Sequence, residues 1–199
     1  MLPAPRRAEP RGQTASVGPT LLDRLIPEFD FGHRYAIVVP APRATVAEAA
    51  ESYRPDSSPL LRFLFRLRGL GRAPGTLRRA MGGARFTVLA EEPGEEVVLG
   101  VAGRFWALDE LSNLESVPDA RAFAAFDRPG RAKAAVNLRF EGLSASTTRV
   151  STETRVKCVD AAAYWRFAPY WAVIRLFSGW LRRDMLLGIR RLALHQGRE

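Results

Sequence analysis

The sequence predicts an α+β fold, in which a series of antiparallel strands is followed by one long C-terminal helix. Residues 133–140 and 148–157 alternate between apolar and polar side chains, with the period of two that half-buried strands require. After them, apolar residues recur at helical spacing from residue 160 to about residue 195. These two patterns, a period of two followed by a period of 3.6, are the main basis for the fold class.

Composition divides the chain into an arm and one domain. Residues 1–25 are rich in proline and arginine and have no apolar periodicity, so we expect a disordered arm. The whole chain has 199 residues, of which 47% are hydrophobic and 26% charged, a balance typical of a globular protein. Residues 26–196 are therefore expected to form a single domain.

The first elements of this domain are a strand and two short helices. Residues 33–39 are mostly β-branched or aromatic and are followed by Pro40, as expected for a first strand. A helix over residues 45–51 comes next, with Thr45 as its expected N-cap. A second helix is expected over residues 60–67, where apolar residues share one helical face.

Strand patterns then continue through the middle of the chain. The glycine- and arginine-rich connection over residues 69–83 has no predicted structure. Residues 85–90 and 96–102 are β-prone and flank the pair Pro93-Gly94, which favours a hairpin turn because glycine accepts a positive φ. A further strand is expected over residues 105–108.

Two helices are predicted in the second half, a short one over residues 121–126 and the long C-terminal one. Asp160 is the expected N-cap of the long helix. Its apolar stripe consists of Phe167, Trp171, Ile174, Leu181, Met185, Ile189 and Leu192. Its arginines, Arg182 among them, are expected mostly off this stripe.

The two alternating strands predict a sheet with one covered face and one wet face. The covered face would carry Ala134, Val136, Leu138, Phe140, Val150, Thr152, Thr154 and Val156. The wet face would carry Asn137, which a one-residue shift in register would turn inward. It would also carry a surface ion pair of Glu153 with Arg155 or, across the sheet, with Arg139. Two threonines on the covered side need hydrogen-bond partners, which a ligand or a trapped water could supply.

The net charge of +9 does not by itself favour a nucleic-acid ligand. Only Lys133 and Lys157 are lysines, so 28 of the 30 basic residues are arginines. They are dispersed along the chain, whereas phosphate binding needs cations gathered on one surface. A solvated arginine surface is the expectation.

Other signals limit location and chemistry. The lone cysteine, Cys158, excludes an internal disulfide framework and fits a reducing cytoplasm, where it would be a small buried hydrophobe. No stretch is apolar enough to span a membrane, so we expect no membrane-spanning helix. The first residues lack the pattern of a signal peptide, so none is expected there. It also has no metal-ligand spacing and no catalytic motif, so no metal, no cofactor and no catalytic residue is predicted.

Four segments resemble the helix-grip superfamily, which includes the START domains, the plant pollen allergens and the polyketide cyclase/dehydratase-like proteins. They are Val38–Pro42, Leu99–Trp106, Ser151–Val156, and Phe167–Ile174 followed by Ser178-Gly179. The later segments look like a bacterial branch of the superfamily. The resemblance covers roughly residues 30–195, with six readable strands where the family usually has seven.

The resemblance implies that a curved sheet wraps around the last helix and leaves a ligand cavity between them. The implied lining is Trp106, Val136, Leu138, Val150, Thr152, Thr154, Phe167, Trp171 and Ile174. The function it implies is binding of a hydrophobic small molecule, such as a lipid, a polyketide or an aromatic metabolite. The alternative is a cyclase/dehydratase-like enzyme that uses the same cavity.

Several residues have a second interpretation. His33 could be a general acid or base, but no partner is evident beside it, so we expect it in solvent at the end of its strand. Phe167 and Trp171 could serve ordinary core packing. Trp165, with Tyr164 and Trp180, could form a strip that faces a membrane or a partner. The oligomeric state is left open.

Overall fold

Six antiparallel strands form a curved sheet, and a long helix at the C-terminus packs on one of its faces. The computed structural model describes residues 18–54, 75–76, 86–107 and 113–197. The strands are β1 (Phe31–Val39), β2 (Thr87–Glu92), β3 (Glu96–Gly103), β4 (Leu114–Glu115), β5 (Ala132–Ser144) and β6 (Thr147–Cys158). The helices in these residues are α1 (Leu21–Leu25), α2 (Arg43–Ser52), α3 (Ala120–Ala124) and α4 (Ala161–Gln196). The predicted α+β class is confirmed.

The strand order is β1-β6-β5-β3-β2, with β4 paired to the end of β3. β1 runs along β6 without a break in register, from Phe31 opposite Val156 to Val39 opposite Thr148. Because β1 is an edge strand, the side chains on its inner face have a neighbouring strand, β6, on one side only. The predicted hairpin joins β2 to β3, and Gly94 has the expected positive φ of 70°.

α4 begins and ends close to the predicted positions. Asp160 is its N-cap and accepts hydrogen bonds from the Ala163 amide at 2.7 Å and the Gly130 amide at 2.6 Å. These amides hold the pKa of the Asp160 carboxyl below its ordinary value, because they stabilise its charged form. The helix packs on β1, β6 and α2.

Two apolar clusters lie between α4 and the sheet. The first joins α2 and the end of α4 to the sheet through Val39, Val46, Leu138, Phe140, Val150, Leu186 and Ile189. The second lies under the start of α4 and contains Val101, Ala134, Val156, Cys158 and Phe167. Burial raises the pKa of the Cys158 thiol to about 12, so this residue fits the predicted small buried hydrophobe.

The other face of the sheet is not the wet face that the alternation predicted. A third apolar cluster lies there, formed by Leu21, Leu22, Ile26, Leu89, Val98, Phe123 and Ala135 with their neighbours. α1 covers β3 and β5, and α3 covers β2 and β3. Both helices have only five residues, which is too short to show a helical period in the sequence.

α1 is held to the sheet by buried polar groups. The Glu96 carboxylate accepts hydrogen bonds from the Leu21 amide at 2.9 Å, the Leu22 amide at 3.4 Å and the Asn137 side-chain amide at 2.7 Å. The bond to Glu96 confirms that Asn137 lies on the outer face of the sheet. It is only 4% exposed, however, so this part of the face is buried and not wet. Because the Glu96 carboxylate and its three donors are hydrogen-bonded to one another, we assign this network a role in stability and not in ligand binding.

The predicted ion pair between Glu153 and Arg155 is present at 2.6 Å, but it is buried rather than on the surface. The Arg155 guanidinium also donates to Asp23 at 2.6 Å and to the Ile26 carbonyl at 3.2 Å. Burial alone would raise the pKa of Asp23, but bonds from Thr20 and Arg155 outweigh it and lower that pKa. α1 thus covers charges that the sequence alone placed in water.

Three local predictions are corrected. α2 begins at Arg43 after Pro42, so Thr45 lies inside the helix and is not its cap. Residues 105–107 form a turn, not a strand. Leu21–Leu25 belong to α1, although they fall within the predicted disordered arm.

The remaining predictions of this kind fall elsewhere. Residues 1–17 of the arm, the helix over residues 60–67 and most of the connection over residues 69–83 lie outside the described residues.

Candidate functional site

A cleft of about 290 Å³ lies between the edge strand β1 and the middle of α4. It is lined by His33, Tyr35, Arg175, Leu176, Gly179, Trp180 and Arg183. Among the described residues, the lining combines cationic and aromatic groups and includes no aspartate or glutamate. We call it the cationic cleft.

Strand geometry and one glycine shape this cleft. His33 and Tyr35 lie two positions apart on β1, so both face α4, and their ring centroids are 4.4 Å apart. Gly179 is buried directly against the Tyr35 hydroxyl, where a Cβ atom would collide with it. The absence of a side chain at Gly179 therefore lets α4 pass close over β1.

Arg182 is not part of the cleft lining, but its charge acts on His33, which is. Three hydroxyl groups hold the Arg182 side chain. Its guanidinium donates from Nη1 to Thr152 Oγ1 at 2.9 Å, from Nη2 to Thr154 Oγ1, and from Nε to Ser178 Oγ at 3.1 Å. The Thr152 hydroxyl in turn donates to the Asn137 carbonyl at 2.7 Å. The two inward threonines thus have a protein partner, and that partner is a cation.

The charge of Arg182 has no carboxylate partner among the residues that the structure describes. A guanidinium has five N–H donors, and the three bonds to hydroxyl groups use three of them. Burial lowers the pKa of Arg182 to about 10, so the side chain still carries its charge at neutral pH. An uncompensated, partly buried cation of this kind favours an anionic ligand.

The positive charge also acts on His33. Burial lowers the pKa of this imidazole below its ordinary value of 6.5, and the charges of Arg182 and Arg175 lower it further. His33 is half-buried in the cleft, so the expectation that it lies in solvent is wrong. Its sequence position was misleading because β1 starts two residues earlier than predicted, at Phe31.

A second cleft, of about 610 Å³, lies around α3 and β4. Its arginines are already paired, since Glu115 contacts Arg131 at 2.9 Å and Arg128 at 2.5 Å. Because Glu115 neutralises these arginines, the second cleft should attract an anion less strongly than the cationic cleft does, although it is larger.

The structure distributes the nine predicted cavity residues over four environments. Leu138 and Val150 belong to the first apolar cluster, and Phe167 belongs to the second, with Trp106 and Trp171 packed against it. Thr152 and Thr154 bind Arg182, while Val136 and Ile174 are half-buried. None of the nine lines the cationic cleft.

Phe167 is the centre of an aromatic group under the start of α4. Its ring lies 5.1 Å from Phe31, 5.6 Å from Trp106 and 5.8 Å from Trp171. These separations are typical of packed aromatic pairs. Core packing therefore accounts for these side chains.

Sequence reasoning missed Arg182, Tyr35, Arg175 and Arg183 as site residues. Arg182 was expected mostly off the apolar stripe, but it faces the sheet. A signal was available, since Arg182 follows Ser178 by four residues and precedes Ile189 by seven, which places all three on one face. The charge of Arg182 suggested solvent exposure, and this outweighed its position on the inward face of the helix.

Together the fold and the cleft define an α+β protein with a cationic site beside its terminal helix, and its sheet and helix fit a helix-grip fold. Among solved structures, the chain is similar to the crystal structure of TTHA0849 from Thermus thermophilus, with a TM-score of 0.34 and 12% identity. The match covers 83% of this chain and 98% of that chain. No protein-family model matches the chain, and no curated protein matches its sequence.

No helix among the described residues combines the length and the apolar character needed to cross a membrane. No group of three or more histidine, cysteine, aspartate or glutamate side chains in that part of the chain is placed to hold a metal ion.

Proposed function

We propose that this protein binds a hydrophobic small molecule that carries an anionic group, with the anion in the cationic cleft. The observation that carries the proposal is Arg182, a partly buried guanidinium oriented by Thr152 and Thr154 and unpaired with any carboxylate of the described residues. The resemblance to helix-grip proteins adds the expectation of a ligand between sheet and helix.

The chemistry of the cleft suits an amphiphile with a carboxylate. Arg175 and Arg183 add positive charge at the opening, while Leu176 and Trp180 add apolar surface. Because three hydroxyl groups already hold the Arg182 guanidinium, little side-chain freedom remains to be lost when an anion binds. A bound carboxylate would receive short, charge-assisted hydrogen bonds.

The size of the cleft narrows the ligand class. About 290 Å³ is at the lower end of the range for small-molecule sites. Fatty acids of moderate length, acidic polyketides and aromatic carboxylates are the candidates. The nine-residue cavity lining stays a prediction for the apolar part of a longer ligand.

Calorimetric titration with octanoate and with 1-octanol tests the proposal, because the two probes share a chain and differ in charge. We expect octanoate to bind more tightly than 1-octanol. Arg182→Gln should weaken octanoate binding by roughly 10- to 100-fold, since a charge-assisted hydrogen bond contributes about 1.5–3 kcal/mol. Binding of 1-octanol should change little.

Arg190→Gln is the matched control, because Arg190 is exposed on the same helix. It removes the same charge and should leave octanoate affinity within about twofold of the wild type, since exposed charges contribute little. Equal affinity for the two probes, or equal effects of the two arginine variants, would refute the assignment.

A cyclase/dehydratase-like enzyme is the second candidate, and His33 is the observation that favours it. Its lowered pKa keeps the imidazole neutral at neutral pH, as a general base must be. To test for this activity, a ligand extracted from the purified protein is incubated with fresh protein and examined by mass spectrometry. Loss of water from the ligand that His33→Gln abolishes would support an enzyme, and an unchanged ligand would exclude dehydration of that molecule.

A further inference from the structure

α4 exposes a row of large apolar side chains on the side away from the sheet. We call this row the outer stripe, and its side chains are between 50% and 68% exposed. It consists of Trp165, Val173, Leu176, Phe177 and Trp180. An apolar row of this size on one helix face marks an interaction surface.

Helix geometry places these side chains together. At 3.6 residues per turn they fall within about a third of the helix circumference. The inward residues Phe167 and Ile174 lie on the opposite side. From Trp165 to Trp180 the outer stripe is roughly 22 Å long at 1.5 Å per residue.

The exposed charges around the outer stripe have one sign. Arg166, Arg175 and Arg183 are exposed beside it, whereas Asp184, one turn beyond Trp180, is half-buried. The whole chain carries a net charge of +9. A surface that covers the stripe must therefore be apolar and also bring negative charge.

We propose that the outer stripe docks on an anionic phospholipid surface, with α4 lying in the plane of the interface. A bilayer of this kind meets both requirements, since the headgroups pair with arginines and the acyl region accepts the apolar side chains. Tryptophan prefers the interface between the two. Trp165 and Trp180 lie at the two ends of the stripe, where they would anchor the helix.

The docked orientation has a consequence for the cationic cleft. Leu176 and Trp180 belong both to the outer stripe and to the lining of the cleft, so docking brings the cleft opening to the lipid surface. An amphiphilic anion could then pass between bilayer and protein with little exposure of its tail to water. Docking itself goes beyond the proposed function and does not depend on it.

Co-sedimentation of the full chain with vesicles tests the proposal. We expect binding to vesicles of phosphatidylcholine with phosphatidylglycerol, and much weaker binding to phosphatidylcholine alone. A triple variant, Trp165→Ala with Val173→Ser and Phe177→Ser, should weaken binding by at least about tenfold, because it removes buried apolar area and keeps every arginine. These three residues lie outside the cleft lining.

The matched control is Val38→Ser with Val88→Ser and Leu143→Ser, which removes three exposed apolar side chains from the strands. It should bind vesicles as the wild type does. Arg166→Gln with Arg183→Gln, which leaves the apolar residues in place, should weaken binding to the anionic vesicles only. This second variant keeps the test decisive if the triple variant fails to fold.

Three results would overturn the docking proposal. They are no binding to anionic vesicles, equal binding by the triple variant, and a wild-type dimer in analytical ultracentrifugation that the triple variant converts to a monomer. The last result would assign the stripe to self-association. Arg182→Gln should weaken octanoate binding as stated above but keep vesicle binding, so failure of the ligand proposal and failure of docking are separable.

Discussion

Thr152 and Thr154 face inward from β6 and accept hydrogen bonds from the Arg182 guanidinium. Hydroxyl groups compensate part of the cost of burying Arg182, because each accepts a hydrogen bond that water would otherwise accept. They do not neutralise its charge. The positive charge of Arg182 therefore stays uncompensated by any carboxylate of the described residues. An anionic ligand would compensate it, which is the physical basis of the proposed anion binding.

His33 reports this charge directly. Burial and the charges of Arg182 and Arg175 lower its pKa, so proton NMR should give a value below 6.5 in the folded protein. Arg182→Gln removes one of the nearby positive charges and should move the pKa of His33 back toward 6.5. Arg190→Gln should leave the titration curve in place, and an unchanged His33 in Arg182→Gln would contradict the described geometry.

Short helices decide how the second face of the sheet is covered. α1 has five residues and could not persist alone in water. Polar contacts fix its first turn: a capping box between Thr20 and Asp23 begins it, and the Glu96 carboxylate accepts its first amides. The covered face thus depends on a carboxylate far away in sequence.

Glu96→Ala tests this dependence. It leaves the Leu21, Leu22 and Asn137 donors without their acceptor, so we expect the free energy of unfolding in urea to fall by about 2–4 kcal/mol. Hydrogen exchange at the α1 amides should accelerate more than exchange in the C-terminal half of α4.

Glu92→Ala is the control for this variant. Glu92 is 49% exposed and contacts Arg24 at 3.8 Å, so its loss should cost less than about 1 kcal/mol. Equal costs for the two variants would mean that Glu96 does not anchor α1.

Acid should destabilise the whole molecule in two separate ranges of pH. The folded pKa of His33 is lowered, so the unfolded chain binds its proton first and stability is lost as the pH falls below 6.5. The folded pKa values of Asp23 and Asp160 are also lowered. Their contribution is present above 3.8 and is lost as the pH falls from there toward the folded values.

Urea unfolding measured from about pH 8 to about pH 3 should show both declines. His33→Gln should remove the upper decline and keep the lower one. A profile that is flat between about pH 7 and about pH 5 in the wild type would be inconsistent with the lowered pKa of His33.

The part of the chain that the structure describes combines two covered sheet faces with one exposed helix face. α4 buries its inward side against β1, β6 and α2, while its outer stripe and arginines face away. The cationic cleft opens where these two sides meet, at the sheet edge. This placement links the ligand proposal to the docking proposal without making either depend on the other.

Local patterns in the sequence were sufficient for the fold class and for most of the long elements. The strands β5 and β6, the hairpin at Gly94, the Asp160 cap and the extent of α4 were all predicted, because each depends on periodicity or on capping within a few residues. Thr152 and Thr154 were also correctly singled out as inward hydroxyl groups that need partners.

Tertiary structure alone decided which groups meet. Arg182 reaches Thr152 and Thr154, about thirty residues earlier in the chain, and Leu21 reaches Glu96, which follows it by 75 residues. Such pairs depend on strand order and on the rotation of α4 about its axis, and neither leaves a local pattern. Charge favours solvent unless a distant partner compensates it, so the site residue that matters most was the one that local reasoning assigned to water.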